Sequence, residues 1–287
     1  MGAVSQLRRT DRLIVGSFDA AAHVLQQRAR VVVLGAATLM LPMMAANLLL
    51  SVLAFRSFDT FQSAFGDRGY IGAESGQVFV AIVLQSFTAH VVGTYAAAVL
   101  VPFQLGTEPT MRAGLGMVLR RLPLLFGTWL VTHWWALLMA LGIATQPSAV
   151  GPLLLVLWPL VAVASTLGLL VGPVIATERL GLRSVPRAVR LVRTRFGASW
   201  AFVVVTGLVS GSLFLFISQL PYLVESTGLL TLGSYGYLVQ GVTLEIALLI
   251  VVPLSALATA QLYLQLRVHA EGIDLWQAAE QAFGVRA

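Results

Sequence analysis

The sequence contains six apolar stretches, and each is long enough to form a helix that crosses a lipid bilayer. A hydrocarbon core about 30 Å thick requires about 20 helical residues. Backbone amide and carbonyl groups inside that core must be hydrogen-bonded within the chain, so helices are the expected secondary structure. The predicted spans cover roughly residues 31 to 55, 77 to 103, 123 to 145, 152 to 177, 200 to 219 and 241 to 266.

The composition agrees with a membrane protein. Hydrophobic residues make up 58% of the 287 residues and charged residues only 10%, whereas soluble domains contain roughly 25% charged residues. We therefore predict an all-α polytopic membrane protein with six transmembrane helices. Its predicted parts are a cytoplasmic segment over residues 1–30, a transmembrane domain over 31–266 and a cytoplasmic tail over 267–287.

The arginines are divided unequally between the two sides of the predicted bundle. Five precede the first span, three lie between the second and third, six lie between the fourth and fifth, and two follow the sixth. The loops on the opposite side hold only Arg56 and Arg68. Because cytoplasmic loops carry the excess of basic residues, both termini are predicted to face the cytoplasm, in the cytoplasmic membrane of a bacterium.

An amphipathic segment precedes each odd-numbered span. Residues 13–30, 110–122 and 184–196 each place apolar side chains on one face with the 3.6-residue period of an α-helix. Thr110 and Ser184 are candidate N-caps of the second and third segments, and Gly197 is a candidate stop signal for the third. We therefore expect three helices that lie in the cytoplasmic interface of the membrane.

These segments also suggest an internal repeat. An offset of 70 residues aligns Glu108 with Glu178 and Arg120 with Arg190. This alignment is consistent with three parallel units, each an in-plane helix followed by a helical hairpin. Chance similarity between low-complexity apolar sequences is the alternative explanation.

The segment over residues 178–197 contains six arginines. A basic cytoplasmic loop is expected in any membrane protein, but here the arginines recur on one helical face, opposite an apolar face. That pattern predicts contact with anionic lipid head groups or with a membrane or cytoplasmic protein partner, including a second copy of the chain. Nucleic acid is not expected, because no stacking aromatic residues alternate with the arginines. The predicted contact residues are Arg183, Arg187, Arg190, Arg193 and Arg195.

Three ionisable residues lie within predicted spans, and such groups are candidates for function because their burial is costly. His90 and His133 also have a structural interpretation, as hydrogen-bonding partners between helices. Glu245 lies near the outer end of the sixth predicted span. For this carboxylate, a role at the helix N-terminus with access to water is favoured over ion coupling.

Two glycine pairs have the GxxxG spacing that permits close approach of transmembrane helices. Gly168 and Gly172 lie in the fourth predicted span, and Gly207 and Gly211 lie in the fifth. They predict helix packing, either within the bundle or across a dimer.

Two segments resemble the membrane domain of glycerophosphodiester phosphodiesterases. They are "GPVIATERLGLRSVPRAVRLVRTRFG" and the tail "LYLQLRVHAEGIDL". The tail is similar to the ending "LY-x-D-x-R-x-R-x-EG-x-D", although Gln265 and His269 replace an aspartate and an arginine. The resemblance implies a helical bundle that in some relatives accompanies a separate catalytic domain. The positions that keep the pattern are Tyr263, Arg267, Glu271, Gly272 and Asp274.

The residues do not predict catalysis. The sequence has no HExxH, GxSxG or phosphate-binding glycine loop, no cysteine and only four scattered histidines. We therefore expect no catalytic residue, metal or cofactor, with an intramembrane hydrolase as the enzymatic alternative. Two other classes remain open: a non-catalytic protein that binds anionic lipid or docks a partner, and a transporter or channel that uses His90 and Glu245.

Overall fold

The computed structural model describes residues 13–54, 73–145, 147–178 and 180–272. Every regular secondary-structure element in these ranges is a helix, which confirms the predicted all-α class. The outer-loop arginines, the first twelve residues and Asp274 lie outside the described residues.

Eleven α-helices cover the described residues, and two short 3₁₀ helices, Gly181–Arg183 and Gly233–Tyr235, join some of them. The first six α-helices are α1 Leu13–Ala54, α2 Ala73–Gln104, α3 Met111–Arg120, α4 Leu122–Thr132, α5 Trp134–Thr145 and α6 Pro147–Gly168. The remaining five are α7 Val171–Glu178, α8 Ser184–Thr194, α9 Phe196–Ser218, α10 Leu220–Ser226 and α11 Gly236–Glu271.

Five helical segments are long and apolar enough to cross a membrane. They are Leu13–Ala54, Ser75–Gln104, Trp158–Glu178, Phe196–Ser218 and Gly236–Glu271. A sixth such segment is obtained only if α3 and α4 are counted as one span, although the chain bends by 68° between them. The described chain is therefore all-helical, with five or six helical segments that could span a membrane by length and composition.

The third predicted span is not one continuous helix. It is divided at His133, whose backbone angles of φ −119° and ψ 19° separate α4 from α5. The His133 amide still donates to the Trp129 carbonyl at 2.7 Å, so the chain turns without losing that hydrogen bond. At 1.5 Å per residue, α4 and α5 are each too short to cross the hydrocarbon core separately.

Arginines mark three further interruptions, each where a predicted amphipathic segment meets a predicted span. Arg28 (φ −128°, ψ 30°) interrupts α1. Arg121 (φ −108°, ψ 7°) separates α3 from α4, and Arg195 (φ −141°, ψ 56°) separates α8 from α9. The stop signal predicted at Gly197 is therefore wrong, because that residue lies inside α9.

Of the two N-caps predicted from the sequence, the structure contains one. Thr110 caps α3 by accepting a hydrogen bond from the Ala113 amide at 3.3 Å. Ser184 is the first residue of α8 rather than its N-cap, and its buried hydroxyl has no hydrogen-bond partner among the described residues. The predicted Ser184 cap is wrong because Arg183 occupies the N-cap position after a 3₁₀ turn.

The core lies where α1, α2, α7 and α11 pack against one another. A Cβ atom on Gly172 would lie 2.8 Å from Thr94 Oγ1, and one on Gly168 would lie 3.0 Å from Thr132 Cβ. This glycine pair therefore permits close approach to α2 and α4. In contrast, Cβ atoms on Gly207 and Gly211 would meet no heavy atom of the described chain within 4 Å.

Candidate functional site

Two arginines and two glutamates from three helices form a charged cluster, defined here as Glu178, Arg187, Arg267 and Glu271. Arg187 donates from Nε to Glu178 Oε2 at 2.8 Å and from Nη2 to Glu271 Oε1. Arg267 donates from Nε to Glu271 Oε2 at 3.0 Å and lies 3.6 Å from Glu178 Oε1. Each guanidinium thus faces both carboxylates, and the four formal charges cancel.

Two hydroxyl groups extend the charged cluster into the core. The Tyr263 hydroxyl donates to Glu178 Oε1 at 2.9 Å, accepts from Arg267 Nη1 at 3.1 Å and lies 2.6 Å from Thr177 Oγ1. Tyr263 is fully buried. The network therefore links the C-terminal ends of α7 and α11 to the core.

The local sequence explains why these groups meet. Tyr263, Arg267 and Glu271 are spaced four residues apart on α11, so they share one helical face. Glu178 is the last residue of α7, and Arg187 lies near the start of α8. Both segments that carry the family resemblance contribute to the charged cluster.

Arg187 is the exception among the arginines predicted to contact lipid. Its side chain is only 22% exposed. The hydrogen bond that Arg187 donates to Glu178 raises the pKa of Arg187; burial opposes this effect, and the hydrogen bond that it donates to Glu271 reinforces it. Arg187 thus uses its Nε and Nη2 donors within the chain, and its predicted contact with lipid or a partner stays a prediction. Helical periodicity groups Arg187 with the other arginines of the segment. It cannot reveal that α7 and α11 contribute the carboxylates of Glu178 and Glu271.

The other arginines of this segment have different surroundings. Arg183, Arg190 and Arg193 are exposed and form no ion pair within the described part of the chain. Arg195 Nη2 lies 3.2 Å from His269 Nδ1. Three of the five predicted contact residues therefore have no anionic partner among the described residues.

A second basic patch, which the site prediction missed, lies on α3. Arg112 and Arg120 are exposed, and together with Arg121, Thr110 and Gly116 they line a cavity of about 650 Å³. Both arginines belong to the amphipathic segment over 110–122, whose basic residues are fewer than those of the segment over 178–197. Its sequence signal for an anion-binding surface is therefore weaker.

The three arginines at the helix interruptions share a further feature. Arg28 forms an ion pair with Glu108, just beyond the end of α2. Arg121 donates to the Ile175 carbonyl of α7, and Arg195 contacts His269 near the end of α11. At each interruption, the arginine side chain thus contacts a residue at or near the end of a later helix.

The two histidines of the predicted spans, His90 and His133, are neighbours in the structure. The ring centroids of His90 and His133 are 5.2 Å apart in an edge-to-face arrangement. His90 Nε2 lies 3.3 Å from Thr128 Oγ1, and His133 Nδ1 lies 2.8 Å from Thr132 Oγ1. No group of three potential metal-binding side chains occurs among the described residues. The pair therefore connects α2 to the broken span through hydrogen-bonding groups.

Glu245 lies in a different part of the bundle. Its carboxylate is 3% exposed and accepts a hydrogen bond from Asn47 Nδ2 to Oε1 at 2.9 Å. The expected access to water is not observed, because α11 begins at Gly236 rather than near residue 241. Glu245 Oε2 and Asn47 Oδ1 have no hydrogen-bond partner within the described chain. No hydrogen bond among the described residues joins this pair to His90 or His133.

No protein-family model, curated protein or solved structure matches this chain.

Proposed function

We propose that the protein is a non-catalytic integral membrane protein that binds anionic lipid through a basic cytoplasmic surface. The observation that carries this proposal is the selective pairing of charge. Glu108, Glu178 and Glu271 all have arginine partners. The exposed arginines of α3 and α8 have no such partner among the described residues, so their charge is available to external anions.

The paired and unpaired arginines contribute differently. Those of the charged cluster connect helices, and their charge is neutralised locally. Near an anionic membrane surface, each unpaired arginine contributes about 1 kcal/mol of attraction. Arg183, Arg190 and Arg193 together would contribute about 3 kcal/mol, equivalent to roughly a 100-fold change in affinity. A surface of this strength distinguishes anionic from zwitterionic lipid.

The proposed setting is the cytoplasmic membrane of a bacterium, with both termini in the cytoplasm. The distribution of arginines supports this orientation. We further propose three parallel units in which α3, α8 and the first part of α1 lie in the membrane interface. The arginine at the end of each of these helices supports the repeat, with Arg121 equivalent to Arg195. The sequence offset of 70 residues had instead paired Arg120 with Arg190.

Measurement of lipid selectivity tests the proposed function. Wild-type protein and the triple variant Arg183→Gln, Arg190→Gln, Arg193→Gln are equilibrated with phosphatidylglycerol and phosphatidylcholine in mixed micelles. The triple variant should lose most of the preference for phosphatidylglycerol, and 1 M salt should reduce the preference of the wild type. The matched control replaces the same three residues by lysine, which keeps the charge. Unchanged selectivity in the glutamine variant would contradict the proposal.

A transporter is the alternative function, and the buried Asn47–Glu245 pair favours it. A carboxylate with one unpartnered oxygen inside a bundle is the type of group that binds a transported cation. Reconstituted protein would then show proton- or sodium-coupled flux that Glu245→Gln abolishes while the fold is retained. Absence of flux in wild-type vesicles with confirmed insertion would count against transport.

A further inference from the structure

An apolar groove of about 740 Å³ lies between α4, α5, α6 and α8. Its walls include Leu138 and Gly142 of α5 and Leu160 of α6. Leu138 and Leu160 are exposed large hydrophobic residues, so the groove opens at the outer surface of the bundle. In a membrane protein this surface meets lipid rather than water.

The helix α8 forms one wall of the groove and also carries unpaired positive charge. Val185 and Val189 line the groove. Arg193 follows Val189 by four residues, so it lies one turn further along α8, where the polar face of the helix borders its apolar face. It is exposed and has no ion-pair partner in the described chain. A cation thus stands beside an apolar groove.

We infer that this groove holds an acyl chain of an anionic phospholipid whose phosphate contacts Arg193. The inference rests on the proposed function and gives it a specific site. An apolar channel with an adjacent cation complements an amphiphile with an anionic head. Along α6 the groove extends from Leu160 to Gly168, about 12 Å at 1.5 Å per residue. That length accommodates part of an acyl chain but is shorter than the roughly 30 Å of a transmembrane partner helix.

Glycines allow the groove to be filled without disturbing its walls. A Cβ atom on Gly142 would meet no heavy atom of the described chain within 4 Å. Gly142→Phe therefore projects a ring into the groove. Gly127 of α4 is equally open and does not line the groove. Gly127→Phe is the matched control for the added ring.

The test is native mass spectrometry of full-length protein, delipidated and then incubated with equal amounts of phosphatidylglycerol and phosphatidylcholine. The wild type should retain one phosphatidylglycerol per chain, Gly142→Phe should lose it, and Gly127→Phe should keep it. Arg193→Gln should reduce the ratio of retained phosphatidylglycerol to phosphatidylcholine about five-fold. Thermal melting followed by circular dichroism identifies folded variants, and Leu138→Trp replaces Gly142→Phe if that variant does not fold.

The outcomes separate this inference from the proposed function. If Gly142→Phe retains phosphatidylglycerol while the triple arginine-to-glutamine variant loses selectivity, the surface binds lipid and the groove assignment is wrong. If Gly142→Phe loses lipid but Arg193→Gln leaves the ratio unchanged, the groove binds acyl chains without recognising the head group. Dissociation of a wild-type dimer by Gly142→Phe would show that a second copy of the chain occupies the groove, which also overturns the inference.

Discussion

Arg187→Gln should destabilise the protein, because it removes one of the two cations that balance Glu178 and Glu271. The substitution eliminates two hydrogen bonds from a guanidinium to carboxylates. It also leaves Arg267 as the single cation facing both acids. We expect α8 to lose its attachment to the ends of α7 and α11.

The magnitude follows from the exposure of the charged cluster. Its four side chains are between 13% and 26% exposed, which places them between surface ion pairs and fully buried ones. Exposed pairs contribute about 0–1 kcal/mol, whereas breaking a buried pair costs about 3–5 kcal/mol. Because glutamine can still donate one amide hydrogen bond, we expect a loss of about 2–3 kcal/mol in the free energy of unfolding.

A double-mutant cycle with Glu178→Gln isolates the interaction. If Arg187 and Glu178 stabilise the fold through each other, the double variant should be about 1–2 kcal/mol more stable than the sum of the single effects predicts. The free energy of unfolding can be measured by steric trapping in micelles of fixed composition. Arg190→Gln is the matched control on the same helix, and we expect its effect to stay within about 0.5 kcal/mol.

Two results would refute this account of the charged cluster. One is an effect of Arg187→Gln that equals that of Arg190→Gln. The other is a coupling energy of zero in the cycle. Either result would mean that α8 is held by its buried apolar residues, such as Ala188 and Val192, without a contribution from the ion pairs.

Three further outcomes are expected. Asn47→Ala should lower the free energy of unfolding by about 1–3 kcal/mol, measured by steric trapping, because it removes the observed donor to a buried carboxylate. Gly172→Ala should cost about 1–3 kcal/mol through its close contact with α2, whereas Gly211→Ala, which meets open space, should change stability by less than about 0.5 kcal/mol. A cysteine at the exposed Ser226 should react with an impermeant thiol reagent outside intact cells, and one at the exposed Thr194 should not; the reverse pattern would contradict the orientation.

Local patterns in the sequence were sufficient to predict the protein class. A run of about 20 apolar residues must form a hydrogen-bonded helix in hydrocarbon, so the all-α class followed without any knowledge of contacts. The N-cap at Thr110 also involves only a hydroxyl and the amide of Ala113, three residues away. Both features depend on interactions within a few residues of the chain.

The helix breaks at His133 and Arg195 were not predicted, although both residues were recognised in other roles. His133 was identified as a polar residue within a span, but its hydropathy did not show that it divides the helix. Gly197 was a better stop signal than Arg195 by propensity, yet the helix is interrupted at the arginine. Arg195 meets His269 from a helix that comes much later in the chain, and such a contact has no signature in local composition.

Contacts between helices distant in the sequence also distinguish the ion-paired arginine of α8 from its exposed arginines. Periodicity places Arg187 and Arg190 on the same polar side of α8, and nothing in the segment distinguishes them. The tertiary structure brings Glu178 and Glu271 to Arg187 while Arg190 remains exposed. Tertiary packing also decides the surroundings of Glu245. Its position near the end of a predicted span suggested contact with water, but the carboxylate is buried beside Asn47 of α1. Amphipathic pattern depends on neighbours along one helix, whereas the pairing of a buried or half-buried charge depends on which other helices arrive beside it.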